Sequence, residues 1–378
     1  MYKKCLALLL SLALICGFTP AARAAESELI SAPSGVLMEA STGKILFEKN
    51  AHVQRPCASV TKVMTLLLVM EELSGGGLDM DEIVTASEHA SSMGGSDIWL
   101  EPGEKMSVRD LLKATVVASA NDAAVALAEQ ISGSEEAFVA RMNSRAAELG
   151  MRDTVFKNCN GLDEDGHVTS AFDVALMSRE LCRHREIFEF TSIWLDYLRD
   201  GKTQIVNTNK LLKTYKGITG LKTGTTSAAG CCISATAERG GMSLIAVVLG
   251  AENGKQRFAD AASLLDYGFA EYSIKEINAP DDLPLELKVE GGMEKTVPIA
   301  CEISSNAVQS KSSPDEPQIS VELPEDLQAP VLDGEKIGEV VCRLGDDEQS
   351  FPVIACREVP KATYRLVLGK AFESAIKL

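Results

Sequence analysis

Ser59 and Lys62 stand three residues apart in RPCASVTKVMTLLLVMEEL, a stretch that is apolar almost all the way round behind its first turn. On one turn of a helix that spacing brings the two side chains onto a shared face. A serine hydroxyl is a poor nucleophile until a base takes its proton, and lysine serves as that base once burial and a nearby cation lower its proton affinity. The apolar helix supplies the burial, and its N-terminus directs positive partial charge at any anion developing near Ser59. The implied chemistry is acyl transfer through a serine ester. Alone, Ser-x-x-Lys equally describes a capping serine followed by a lysine whose stem lies along the helix.

Two later stretches change that balance. ASAND sets Ser119 and Asn121 at a break between helical segments, where side chains can turn toward a cleft, although capping of the next helix explains them equally well. GLKTGTTSAAG offers Lys222, Thr223 and Gly224 at the start of a strand. The lysine and threonine suit a carboxylate, and the glycine lets a ligand approach the backbone. An ordinary polar edge strand would look the same.

The elements that must position these residues are legible in outline. SGVLMEASTGKILFEKN reads as a hairpin, and the helix beginning near Ser59 stops at Ser74 and the glycines Gly75 to Gly77. Helices flank ASAND, with Ser107 and Asp110 as a capping box at the first start and Gly133 closing the second. Another runs from Ser134 to Gly150, and a helical segment lies near Ala171 to Cys182. The rest of Met151 to Gly217, including the turn-rich NCNGLDEDGH, has no clear period. GCCISATA and MSLIAVVLG then form a hairpin around ERGG, and QRFADAASLLDYGFAEY a helix. The expected fold class is α+β: an antiparallel sheet interrupted by a large helical insertion. From Ile274 to Pro360, prolines and short alternating runs imply a small all-β domain, with SSNAVQSKSSPDEPQ as a disordered loop. YRLVLGKAFESAIKL places Leu368, Phe372, Ala375 and Ile376 on one helical face, suited to peripheral membrane contact or to docking on the β domain.

The chain opens with Lys3 and Lys4, an apolar run from Cys5 to Phe18, and Ala22-Arg23-Ala24, the pattern of a secretory signal peptide over residues 1–24. A catalytic domain over 25–273, a β-rich domain over 274–360 and a tail over 361–378 complete the expected organisation. The net charge of -17 argues against nucleic acid as a partner and for a solvated protein outside the cytoplasm. Of ten cysteines, Cys5 and Cys16 leave with the signal. The others are scattered without metal-ligand spacing and read as buried small hydrophobes or free thiols, with a pairing among Cys301, Cys342 and Cys356 left open.

Ser-x-x-Lys, Ser-x-Asn and Lys-Thr-Gly in that order are the signature of class A β-lactamases and penicillin-binding proteins. Here they stand as SVTK, SAN and KTG. The longer stretches RPCASVTKVMT, SANDAAVALAE and NTNKLLKTYKGITGLKTGTT resemble the low-molecular-mass penicillin-binding proteins that are serine-type D-Ala-D-Ala carboxypeptidases, peptidase family S11. The resemblance runs from about Ala32 to Tyr272, and more loosely through the β-rich tail. It implies a β-lactamase/transpeptidase-like catalytic domain, no metal or other cofactor, peptidoglycan stem peptides as substrate and β-lactams as covalent inhibitors. It also implies roles: Ser59 as nucleophile, Lys62 as base, Ser119 as proton relay and Asn121 as partner of Lys62 and the substrate amide. The N–H groups of Ser59 and Thr225 would form an oxyanion hole. Lys222 and Thr223, with Gly224 between them and Thr225, would bind the terminal carboxylate, assisted by Arg257.

Two positions depart from the family pattern. Cys57 puts a thiol, open to oxidation at that distance, two residues before the nucleophile, and Thr219 stands where aspartate is frequent. The rivals are a β-lactamase, against which the missing Glu-x-x-Leu-Asn loop argues, a D,D-endopeptidase, and a secreted binding protein without turnover.

Overall fold

The computed structural model describes residues 29–303, 305–312, 316–344 and 347–368. The signal-peptide reading of residues 1–24, and most of the tail helix, fall outside them. The chain divides into two compact units, Met1–Ala270 and Glu271–Leu378.

The first unit is built on five antiparallel strands: β1 (Ser34–Glu39), β2 (Ile45–Lys49), β3 (Ile218–Thr226), β4 (Gly230–Arg239) and β5 (Met242–Ala251), in the order β2-β1-β5-β4-β3. The hairpin joining β4 to β5 turns on Gly240 and Gly241, both at positive φ, the backbone that a two-residue turn of matching twist needs. Between β2 and β3 the chain inserts its helices: α1 (Lys62–Gly75), α2 (Val108–Val117), α3 (Asn121–Ser132), α4 (Glu135–Glu148) and α5 (Ala171–Arg183). α6 (Gly254–Glu271) follows the sheet.

α1 is the core helix. Every residue from Lys62 to Met70 is buried, and the helix ends at Gly76, whose left-handed backbone lets its N–H bond back to the last turn. Each leucine or valine withdrawn from water here contributes roughly 1.5–3 kcal/mol. α5 packs on α1 and on strands β1 and β5. α6 covers β1 and β5 through Gly268, where a β-carbon would lie 2.6 Å from Leu244 Cδ1 and 2.8 Å from Leu37 Cδ2. Helices on both faces explain why β5 is buried almost continuously instead of alternating. Side-chain caps hold three helix starts: Ser107 accepts from Asp110 N, Ser134 from Ala137 N and Ser170 from Asp173 N. The Asp110 carboxylate of the expected capping box turns instead to Lys113, 3.1 Å away.

The second unit is β-rich. Strands β6 (Tyr272–Ile277), β7 (Glu286–Glu290), β8 (Thr296–Ala300), β9 (Ser305–Ser310), β10 (Gln318–Glu322), β11 (Asp326–Gln328), β12 (Lys336–Leu344) and β13 (Asp347–Ala355) form two sheets. One pairs β6 with β9, and the other runs β10-β12-β13-β8-β7-β11. The stretch expected to be a disordered loop therefore contains β9 and opens onto β10. Polar composition concealed an apolar pair, Ala307 and Val308, both buried, with Ala307 packed against Ile277, Cys342 and Leu344. All eight cysteines in the described residues are free thiols, Cys301, Cys342 and Cys356 included. Among the described residues no helix is long and apolar enough to cross a membrane.

Candidate active site

The turn that starts α1 is not α-helical throughout. Ala58–Thr61 forms a 3₁₀ turn, and α1 proper begins at Lys62. Ser59 is half-buried and Lys62 fully buried, with Lys62 Nζ 3.1 Å from Ser59 Oγ. Ala58, immediately before the serine, sits at φ +51°, and Ser119 at φ +63°. Left-handed backbone in residues carrying a β-carbon costs on the order of 1–2 kcal/mol each. Strain of this kind persists only where the surroundings over-determine it, and it concentrates at functional sites.

Two close backbone contacts hold the serine turn in place. A β-carbon on Gly224 would lie 2.6 Å from Cys57 O and 2.8 Å from Ser59 N. Gly224 makes room for the nucleophile's own backbone, so β3 lies directly against the serine turn. The Lys-Thr-Gly triplet accordingly stands in the middle of β3 rather than at its start. On the other side Gly161, at φ +84°, would place a β-carbon 2.0 Å from Ala58 O.

Lys62 is held by three oxygens: Ser59 Oγ, Asn121 Oδ1 and the carbonyl of Asn160, the last at 2.7 Å. Burial lowers its proton affinity from 10.5 to about 7, against the pull of Asp97 and Asp122 among its neighbours. The shift expected from the sequence is thus present, and its leading cause is burial rather than a neighbouring cation. Asn121 begins α3 and donates from Nδ2 to Gly94 O at 2.6 Å. Beside it, the Asp122 carboxylate accepts from Ile98 N (3.2 and 3.1 Å), Leu100 N (3.0 Å) and Ala123 N (2.8 Å). These bonds gather loop 94–100 around the start of α3. Ser119 itself is 4% exposed.

On the β3 side, Lys222 is buried and donates to Thr223 O at 2.9 Å. Burial first, then the positive charges of Lys62 and Arg257, push its proton affinity well down. Thr223 Oγ1 shares a 2.6 Å hydrogen bond with Thr208 Oγ1. Arg257 on α6 donates from Nη1 to Gly224 O at 3.1 Å and to Thr225 Oγ1 at 3.0 Å. Ser59, Lys62 and Asn121 are therefore joined directly, Gly224 meets the serine turn through the backbone, and Arg257 is tied to Gly224 and Thr225. Thr219, where aspartate is frequent, shares a hydrogen bond with Thr236 Oγ1 at 2.8 Å.

The sequence reading missed Asn160, Gly161, Asp122 and Thr208. Asn160 and Gly161 lie in NCNGLDEDGH, whose Asn-Gly pair suggested a turn and nothing about Lys62. Cys57 needs a correction: it is fully buried, and burial pushes its thiol up to about 11, so it stays protonated and shielded from oxidants.

Comparison with known proteins gives the family. Residues 21–253 match the family model "D-alanyl-D-alanine carboxypeptidase", and residues 272–361 match "Penicillin-binding protein 5, C-terminal domain". The chain is 40% identical over 373 residues to D-alanyl-D-alanine carboxypeptidase DacF of Bacillus subtilis, covering 96% of each sequence. Penicillin binding protein 5 of Haemophilus influenzae superposes with a TM-score of 0.75 at 31% identity, over 88% of this chain and 98% of that one. Penicillin-binding protein D2 of Listeria monocytogenes, solved in its ampicillin-bound form, gives a TM-score of 0.58 at 36% identity, over 64% of this chain and 98% of that one.

Proposed function

The chain belongs to the D-alanyl-D-alanine carboxypeptidase family, peptidase S11, and from that premise we propose that Ser59 carries the acyl-enzyme and Lys62 activates it. It is a serine D-Ala-D-Ala carboxypeptidase and a penicillin-binding protein of the cell envelope.

The observation that carries the assignment is the set of partners around Lys62 Nζ. Two of them, Asn121 Oδ1 and Asn160 O, are carbonyl oxygens that only accept. A neutral amine has two N–H bonds and one lone pair. Once both N–H bonds are given to the carbonyls, the lone pair faces Ser59 Oγ, and the Ser59 hydroxyl donates to it. With a proton affinity near 7, the amine is substantially neutral at physiological pH.

The mechanism follows from that polarity. Lys62 takes the Ser59 proton as Oγ attacks the carbonyl of the penultimate D-alanine in a peptidoglycan stem peptide. The oxyanion of the tetrahedral intermediate is received by the N–H groups of Ser59 and Thr225, each worth on the order of 3 kcal/mol. Ser119 relays the proton to the leaving amine, and the terminal D-alanine departs. Water then hydrolyses the ester with Lys62 again taking a proton. Lys222, Thr223 and Arg257 hold the terminal carboxylate, whose charge also offsets the cost of burying Lys222 and Arg257 together. A β-lactam enters the same way and remains as an ester that is hydrolysed slowly. The leader over residues 1–24 directs export.

Intact-mass spectrometry tests this reading with a penicillin and, separately, with diacetyl-Lys-D-Ala-D-Ala. A stable penicillin adduct and release of one D-alanine, both lost in Ser59→Ala, are expected. Rapid penicillin hydrolysis without an adduct would instead identify a β-lactamase, and neither adduct nor turnover a binding protein.

A further inference from the structure

Beside the first turn of α6 lies a cavity of about 410 Å³ lined by Lys210, Thr214, Gly254, Lys255, Arg257 and Phe258. Three cations and no carboxylate line it, on a chain whose net charge is -17. Arg257 is 8% exposed, and its Nη1 is committed to Gly224 O, Thr225 Oγ1 and Cys232 O. Its Nε is buried with no hydrogen-bond partner among the described residues, and its Nη2 lies 3.8 Å from where a β-carbon on Gly254 would stand. An oxyanion in the cavity would be held by the charges of Lys210, Lys255 and Arg257, which line it, while the Nε of Arg257 is closed off from solvent and is not among its donors.

The start of α6 adds positive partial charge but little direct bonding. Asn253 already accepts from the amides of Gln256 at 2.9 Å and Arg257 at 3.0 Å. Recognition therefore rests on the side chains. A carboxylate spreads one charge over two oxygens, whereas three converging cations match the larger charge and the additional oxygens of a phosphate.

We propose that this cavity is a second oxyanion subsite, selective for a phosphate group and separate from the carboxylate position on β3. It rests on the carboxypeptidase reading only for its kinetic consequence. Arg257 belongs to both positions, so phosphate bound on its outer side weakens the field that draws the substrate's carboxylate. KM rises while kcat is retained.

The test is calorimetric titration with potassium phosphate against potassium chloride at matched ionic strength, on the wild type and on Lys210→Glu/Lys255→Glu. Saturable phosphate binding is expected in the wild type, weakened about tenfold or more in the variant. The variant should still form the penicillin adduct, with a KM for diacetyl-Lys-D-Ala-D-Ala that no longer rises with phosphate. Absence of binding, or equal binding by both proteins, overturns the subsite. Equal phosphate inhibition of both also overturns it, because the anion then sits with Lys222 and Thr225. A glycerol-phosphate oligomer that binds more tightly than inorganic phosphate assigns the source to an anionic polymer, and equal affinity assigns it to free phosphate. Absence of penicillin acylation in the wild type strikes the carboxypeptidase reading and leaves the binding result intact.

Discussion

Asn160, through its backbone carbonyl, accepts a 2.7 Å hydrogen bond from the Lys62 amine, and this contact fixes which way the lysine's lone pair can point. Burial brings Lys62 to about 7, and only the neutral amine can take the Ser59 proton. The second-order rate of penicillin acylation should therefore rise about tenfold per pH unit below that value and level off above it. Stopped-flow acylation between pH 5 and 9 checks this. A flat profile would remove Lys62 from the role of base.

The same burial makes Lys62 a cost to the fold. Its folded proton affinity, about 7, lies below the ordinary 10.5, so the unfolded chain binds more protons throughout that interval. Stability from this group is fully present above 10.5 and is lost as pH falls toward 7. Lys62→Met should be inactive yet melt higher than the wild type, with a margin that shrinks as pH rises from 7 to 10. Calorimetry of both proteins across that range reads the effect.

Gly224 carries β3 against the serine turn, and an added methyl would meet Cys57 O at 2.6 Å and Ser59 N at 2.8 Å. Backbone atoms cannot swing aside as side-chain ends do, so the strand and the turn must separate. Gly224→Ala should retain its fold and lose about a hundredfold or more in acylation rate, the order of loss that follows a misplacement near 1 Å. Circular dichroism and penicillin acylation, measured on the same sample, separate the two effects.

These residues also mark where sequence reasoning works and where it stops. α1, its glycine stop and the capping serines were legible because periodicity and side-chain hydrogen bonding are local. Ser59, Lys62, Asn121 and Lys222 were legible as candidates because the proposed chemistry needs their side-chain types. Asn160 acts through a carbonyl oxygen that every residue possesses, so no residue type announces it. Gly161 looked like a turn glycine, while its tightest requirement is a contact with Ala58, distant in sequence. β9 was hidden because only Ala307 and Val308 interrupt a polar run, and its partner, β6, lies on the far side of two other strands.

The thiols offer a prediction opposite to the expectation that Cys57 is open to oxidation, and in line with reading the cysteines as buried or free thiols. Cys57 is fully buried and pushed up to about 11, and Cys232 is buried and pushed up to about 12, whereas Cys356 is exposed. Iodoacetamide on the native protein should label Cys356 readily and leave Cys57 and Cys232 unmodified, by peptide mapping. Penicillin acylation should survive the treatment. Modification of Cys57 before unfolding would contradict the packing of the serine turn.

Asp122 ties loop 94–100 to the start of α3, with three amides donating to one buried carboxylate. Hydrogen bonds to a charged group contribute about 1.5–3 kcal/mol each, and removing the acceptor leaves the amides of Ile98 and Leu100 unpaired in the interior. Asp122→Ala should therefore lose on the order of 3 kcal/mol of stability by denaturant titration. Asn121 stands next to it and draws on the same loop through Gly94 O and Ser96 O. Its Oδ1 then loses its fixed position against Lys62, so the variant's acylation rate should fall even at temperatures where it is fully folded. Asp122→Asn keeps one acceptor oxygen and should recover most of the stability, with a smaller loss in rate. If Asp122→Ala acylated at the wild-type rate while folded, the loop would be structural only, and the position of Asn121 would not depend on it.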